Sequence, residues 1–123
     1  MKKKILIIED EPDLAKVLAK HLLSAGYEVM ISMDAIYGVA EVRKFAPDLL
    51  ILDLMLPGGG GLAVLNNMRM STKSMNIPVI VLTGMQDEVY KKKVLALGVE
   101  GYMQKPYDSQ TILSEVKRVL GEV

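Results

Sequence analysis

Several features are missing or scarce in this 123-residue sequence. It has no cysteine, which excludes disulfide bonds, thiolate catalysis and cysteine metal sites. Fifteen Lys and Arg residues balance fifteen Asp and Glu residues, so the chain has no general attraction for nucleic acid or anionic membranes. No apolar run approaches the ~20 residues that a helix needs to cross a bilayer. The first lysines are not followed by the long apolar run of a signal peptide. These absences predict a cytoplasmic protein without a membrane or nucleic-acid partner.

Short apolar runs alternate with longer amphipathic segments. Five apolar runs have the length of strands, and several are rich in Ile and Val. They lie at Ile5–Ile8, Val29–Ile31, Leu49–Leu52 and Val79–Leu82, with a weaker run around Tyr102 and Met103. Between them, apolar residues recur at helical spacing, and Asp34, Asp87 and Asp108 stand where helix N-caps are expected. The alternation predicts parallel βαβ units with right-handed crossovers in one domain over residues 1–123.

The composition of the runs predicts their order in the sheet. The first, third and fourth runs are apolar at consecutive positions, which is typical of strands covered by helices on both faces. The second and fifth runs are shorter and have polar neighbours, as edge strands do. This pattern predicts an α/β, flavodoxin-like (βα)5 sandwich of three layers, with a five-stranded parallel sheet in the order 2-1-3-4-5.

Chemically active side chains follow the runs at the end of the sheet where open parallel sheets bind ligands. Glu9, Asp10 and Glu11 follow the first run, Asp53 the third, Thr83 the fourth and Lys105 the fifth. Clustered carboxylates without histidine or cysteine suit a hard cation, magnesium before zinc. An aspartate can act as a nucleophile toward phosphorus, and a lysine and a hydroxyl could bind the new phosphoryl oxygens. For Glu11 alone, a helix cap or a solvated turn residue is the preferred interpretation.

The glycine run Gly58–Gly61 is the only compositionally biased segment. It lacks the Gly-Lys-Ser/Thr ending of a nucleotide-binding P-loop, so we interpret it as a loop.

The chain resembles the receiver domains of bacterial two-component response regulators, including the chemotaxis regulators, over residues 4–120. Four motifs in sequence order carry the resemblance: IIEDE at 7–11, DLMLP at 53–57 followed by Gly61, VLTG at 81–84, and GVEGYMQKP at 98–106. Each motif is weak alone, but their order and separation are highly specific.

The resemblance implies a phosphoacceptor switch, not an enzyme, in which Asp53 receives a phosphoryl group from a sensor histidine kinase or a phosphotransfer protein. It implies a magnesium site, which manganese could also fill, formed by Asp53, Asp10, Glu9 directly or through water, and the Met55 carbonyl. It assigns phosphoryl binding and switching to Thr83, Tyr102 and Lys105. It gives structural roles to Pro57, Gly61, Gly84 and Pro106, with a cis Lys105–Pro106 bond.

Partners follow from the same resemblance. The domain would change a binding face, often formed in the family by the fourth helix, fifth strand and fifth helix. The partner that binds this face would be a separate protein or an output domain missing from this sequence. The receiver domain itself would be a monomer or a phosphorylation-dependent dimer.

The sequence departs from the family pattern at several positions. Gly60 replaces a frequent acid, and Tyr107 stands where phenylalanine is common. Met55 and Met85 flank positions that influence phosphoryl lifetime in the family, and we expect these apolar side chains to slow hydrolysis by disfavouring a positioned water.

Two other functions fit part of the pattern. A magnesium-dependent aspartyl-phosphate phosphatase of the haloacid dehalogenase type would need an acid two residues after Asp53, where Met55 stands. A pseudo-receiver, which binds partners without phosphorylation, would be expected to lack one of the site residues, and none is missing.

Overall fold

The computed structural model describes residues 2–56 and 60–122. Strands and helices alternate along the chain in five βα units. Their bounds are β1 Lys4–Ile8, α1 Pro12–Ser24, β2 Glu28–Ser32, α2 Ala35–Phe45, β3 Leu49–Asp53, α3 Gly60–Arg69, β4 Val79–Thr83, α4 Glu88–Ala96, β5 Gly101–Gln104 and α5 Ser109–Val119. All five predicted runs form strands. Each strand extends at most one residue beyond its predicted run at either end.

All neighbouring strands pair in parallel, and the sheet order is β2-β1-β3-β4-β5. Strands β3 and β4 are buried at every position, whereas β2 and β5 are largely half-buried. The predicted three-layer fold and strand order are therefore confirmed. Apolar residues at consecutive positions identified the interior strands correctly.

Two apolar clusters form the core, one on each face of the sheet. Helices α2, α3 and α4 cover one face with side chains such as Val42, Val64 and Val94. Helices α1 and α5 cover the other face with side chains such as Leu22 and Val116. No helix within the described residues has the length and apolar character needed to cross a lipid bilayer.

Short polar side chains begin three of the helices. Asp34 accepts a hydrogen bond from the Tyr37 backbone N–H at 2.8 Å, and Asp108 accepts one from Thr111 at the same distance. Asp87 accepts hydrogen bonds from two backbone N–H groups at the start of α4. The three predicted N-caps are thus confirmed, and each satisfies donors that a helix start leaves unpaired.

The prediction that the glycine run is a loop was wrong for its second half. Gly60 and Gly61 form the first turn of α3, while residues 57–59, with Pro57, lie outside the described residues. The reason is steric, because a Cβ on Gly61 would lie 2.5 Å from the Asp53 carbonyl oxygen and 2.6 Å from the Leu54 Cα. Without a side chain, the helix start can lie directly against the end of β3.

Candidate functional site

Three carboxylates meet at the carboxyl end of the sheet. Asp53 ends β3, and Glu9 and Asp10 follow β1, the strand that pairs with β3. Carboxylate oxygens of the three residues lie within 4.8 Å of one another. The pairing of β1 with β3 thus gathers these acids into one cluster.

Both oxygens of the Asp53 carboxylate have a hydrogen-bond partner. The Met55 backbone N–H donates to Oδ1 at 2.9 Å, and the Lys105 ammonium donates to Oδ2 at 3.1 Å. Asp53 is only 2% exposed, so little water competes for these bonds. The carboxylate is therefore held in one orientation, which is an advantage for a nucleophile.

Lys105 brings a positive charge into the carboxylate cluster. Its Nζ lies 2.8 Å from Glu9 Oε1, 3.1 Å from Asp53 and 3.9 Å from Glu11. Burial alone would lower the pKa of Lys105, but its hydrogen bonds to Glu9 and Asp53 raise that pKa above its ordinary value. The ammonium therefore stays charged and offsets part of the repulsion between the acids.

Glu9 has an unusually high pKa for a carboxylic acid. Burial and the adjacent Asp53 carboxylate raise the pKa of Glu9 to about 7, although the Lys105 ammonium opposes that rise. One ammonium shared between two buried carboxylates does not stabilise two negative charges fully. The site is thus poor in positive charge, which favours a further cation.

The chemistry of the donors fits a magnesium ion. All the donors in the cluster of Glu9, Asp10 and Asp53 are oxygens. Magnesium prefers oxygen donors, usually one or two carboxylates together with water and phosphate oxygens.

Glu11 lies outside this cluster. It occupies the N-cap position of α1 without a side-chain cap bond, and its side chain is 67% exposed, in agreement with its interpretation as a solvated residue.

Thr83 and Tyr102 lie close to the site but are not joined to its carboxylates. Thr83 is fully buried at the end of β4, and its hydroxyl accepts a hydrogen bond from the Met85 backbone N–H at 3.0 Å. Tyr102 is half-buried on β5, and the Lys91 ammonium lies 5.2 Å from the centre of its ring. Within the described part of the chain, no hydrogen bond joins the Thr83 hydroxyl to Asp53 or Lys105.

Small residues and a proline shape the rim. Gly84 is exposed, and a Cβ at this position would meet nothing within 4 Å, so the rim beside Thr83 is open. The Lys105–Pro106 peptide bond is cis, as the resemblance implies. Gly61 lies against the Asp53 backbone, as described above.

Two residues beside the site were not assigned a role from the sequence. Gln104 donates a side-chain hydrogen bond to the Met85 carbonyl oxygen at 3.3 Å, and Lys91 lies over the Tyr102 ring. Alternation along a strand places Tyr102 and Gln104 on the same face of β5, and this signal could have identified Gln104. The partner of Lys91 depends on how α4 lies against β5, which no local pattern indicates.

Comparison with known proteins assigns nearly the whole chain to one family. The family model described as the response regulator receiver domain matches residues 5–117. The chain is 35% identical over 117 residues to the DNA-binding dual master transcriptional regulator RpaA of Synechocystis and 34% identical over 117 residues to the transcriptional regulatory protein BaeR of Escherichia coli. In both cases the match covers 95% of this chain and 48% of the relative, so the chain spans about half the length of these relatives.

A solved structure agrees with these relatives. The chemotaxis response regulator CheY4 of Vibrio cholerae superposes with a TM-score of 0.90 at 27% identity, over 97% of this chain and 99% of the other. The chain belongs to the family of response regulator receiver domains.

Proposed function

We propose that Asp53 is the phosphoacceptor of this receiver domain. Receiver domains are the phosphoacceptor switches of two-component response regulators. The observation that carries the assignment is the Asp53 carboxylate, which is buried and fixed between the Met55 N–H and the Lys105 ammonium. Glu9 has a similar pair of partners, the Glu11 backbone N–H at 3.3 Å and the Lys105 ammonium at 2.8 Å. Its pKa of about 7, however, leaves Glu9 partly protonated near neutral pH and therefore a poorer nucleophile.

The transfer step follows from this arrangement. One Asp53 carboxylate oxygen forms a bond to phosphorus while the bond between phosphorus and the histidine nitrogen of the donor breaks. The donor imidazole leaves with the electron pair of that bond. We expect the donor to be a sensor histidine kinase or a phosphotransfer protein.

Lys105 and the two other acids prepare the site for the transferred group. Lys105 already contacts Asp53, so its ammonium can pair with a phosphoryl oxygen after a small movement. Glu9, Asp10 and the Met55 carbonyl would hold a magnesium ion, or manganese in its place, together with Asp53. Such an ion supplies positive charge to the phosphoryl oxygens as negative charge develops on them.

Thr83 and Tyr102 would transmit the effect of phosphorylation from Asp53 to the protein surface. We expect the Thr83 hydroxyl to turn toward the phosphoryl oxygens and the Tyr102 ring to change its position with it. The binding face formed by α4, β5 and α5 would then change for a partner. The chain is a regulatory domain by family, and we propose that it assists only its own phosphorylation and dephosphorylation.

We propose that residues 1–123 act as one receiver domain in the cytoplasm, without binding nucleic acid or membrane itself. The downstream partner would be a separate protein or an output domain in a longer chain, since RpaA and BaeR are regulators about twice as long as this sequence. We expect a monomer or a dimer that forms on phosphorylation.

The test is intact mass spectrometry after incubation with acetyl phosphate, with and without magnesium. We expect one added phosphoryl group only when magnesium is present. Asp53→Asn is the matched control, because it keeps the size of the side chain but removes the nucleophile. An unmodified wild-type protein under all conditions, together with no binding of beryllofluoride, would contradict the proposal and favour a pseudo-receiver.

A further inference from the structure

The β4–α4 loop is attached to two strand ends through a single residue. Met85 donates its backbone N–H to the Thr83 hydroxyl at 3.0 Å, and its carbonyl oxygen accepts from the Gln104 side-chain amide at 3.3 Å. The first bond connects the loop to the end of β4, and the second connects it to the end of β5. Met85 therefore links the position of Thr83 to that of Gln104.

A second contact restrains the neighbouring aromatic ring. The Lys91 ammonium lies 5.2 Å from the centre of the Tyr102 ring, within the range of a cation–π interaction. Tyr102 and Gln104 share one face of β5 and line the same open cavity of about 520 Å³, together with Met85 and Lys91. The two contacts thus act on one surface, beside the loop that begins after Thr83.

We propose that Gln104 and Lys91 are positioning residues that hold Thr83 and Tyr102 in the unphosphorylated arrangement. The inference rests on the proposed function, because it concerns the change that follows phosphorylation of Asp53. We call the two contacts, Gln104 with the Met85 carbonyl and Lys91 with the Tyr102 ring, the rim clasp.

The physical argument is one of linkage between two arrangements. When the Thr83 side chain turns toward a phosphoryl group, its hydroxyl leaves the Met85 N–H, and the loop must move. The Gln104 bond opposes movement of the loop, and the Lys91 contact opposes movement of the ring. An interaction present in only one arrangement lowers the population of the other and weakens the binding of any ligand that prefers the other.

The probe is beryllofluoride with magnesium, a non-covalent analogue of the phosphoryl group, and its affinity is measured by titration calorimetry. We expect Lys91→Ala to bind it about threefold more tightly than wild type, which is the size of an exposed cation–π contact. Gln104→Met keeps the side-chain length but cannot donate to Met85, and we expect a similar gain of about threefold. The double variant should gain about tenfold if the two effects add.

Two further lysine variants separate the clasp from a general charge effect. Lys92→Ala removes the same charge from the adjacent exposed position, about 100° further around α4, and should leave the affinity unchanged. Lys91→Arg keeps a cation that can stack on the ring and should behave as wild type.

A direct readout follows the ring itself. The five tyrosines can be labelled with fluorotyrosine, and Tyr102→Phe assigns the Tyr102 signal in the fluorine NMR spectrum. Without ligand, we expect Lys91→Ala to shift the Tyr102 signal toward its beryllofluoride-bound position and Lys92→Ala to leave it in place. A purely structural role for Lys91 would change stability without moving this signal toward its beryllofluoride-bound position.

The outcomes distinguish the clasp from the proposed function. The rim clasp would be overturned if Lys91→Ala, Lys92→Ala, Gln104→Met and wild type had equal beryllofluoride affinity and equal Tyr102 signals. This result would leave the phosphoacceptor function intact. Failure of the wild-type protein itself to bind beryllofluoride would overturn both.

Discussion

The ionisation of Glu9 should reduce the stability of the metal-free fold as the pH rises. The pKa of Glu9 is about 7 in the folded chain, compared with an ordinary value of 4.5. Between these two values, the folded chain holds a proton that the unfolded chain has released. The free energy of unfolding therefore falls as the pH rises through this interval and is level above it.

The size of the effect follows from the same two values. The difference of about 2.5 pH units between them sets a ceiling of about 3.5 kcal/mol on the loss, at about 1.4 kcal/mol for each unit. The loss arises because Glu9 is buried beside Asp53, and one Lys105 ammonium serves both carboxylates. An ionised Glu9 thus remains only partly compensated.

The assay is urea unfolding of wild type and Glu9→Gln in chelator, just below pH 4.5 and just above pH 7. Glutamine keeps the side-chain length and an acceptor for Lys105 but does not titrate in this range. Wild type should lose up to about 3.5 kcal/mol relative to the variant between the two conditions, since effects of other acids cancel in the comparison. Added magnesium should restore stability at the higher pH, because it binds the folded chain. A wild-type profile parallel to that of Glu9→Gln would refute the reasoning.

Other predictions concern stability and phosphoryl lifetime. Arg69 donates four hydrogen bonds to backbone carbonyls beyond α3, so Arg69→Met should lower the free energy of unfolding by about 3 kcal/mol in urea, whereas the exposed Arg43→Met should change it little. Within the described residues, the Tyr107 hydroxyl is the one buried side-chain polar atom without a hydrogen-bond partner, so Tyr107→Phe should stabilise the fold by about 1 kcal/mol, and a loss of stability would reveal a hidden partner. Because Met55 and Met85 present apolar side chains, the phosphorylated protein should keep its phosphoryl group for minutes in a mass time course, and loss within seconds would contradict this expectation.

The sequence was a reliable guide to the sheet, because burial on both faces leaves a direct trace. Consecutive apolar residues in β1, β3 and β4 distinguished interior strands from the edges, and their order then followed from one known topology. The meeting of Glu9, Asp10 and Asp53 also followed, because the carboxyl ends of parallel strands share one rim.

Other features depended on contacts between segments far apart in the sequence. The start of α3 was misjudged at Gly60 and Gly61, since the helical turn there depends on close approach to the end of β3 and not on local propensity. The hydrogen bond of Thr83 to Met85 and the position of Lys91 over Tyr102 depend on the relative placement of a loop, a helix and a strand. Periodicity describes the faces of single elements and does not determine such placements.

Chemical location of the phosphoryl group tests the central claim most directly. Borohydride reduces an acyl phosphate to an alcohol, so a phosphorylated aspartate becomes homoserine, which peptide mass spectrometry can locate. After treatment with acetyl phosphate and magnesium, we predict homoserine at position 53 alone. The product of reduction at Glu9 or Asp10 instead, or at none of the three acids in a protein that carries the added mass, would contradict the assignment of Asp53 as the phosphoacceptor.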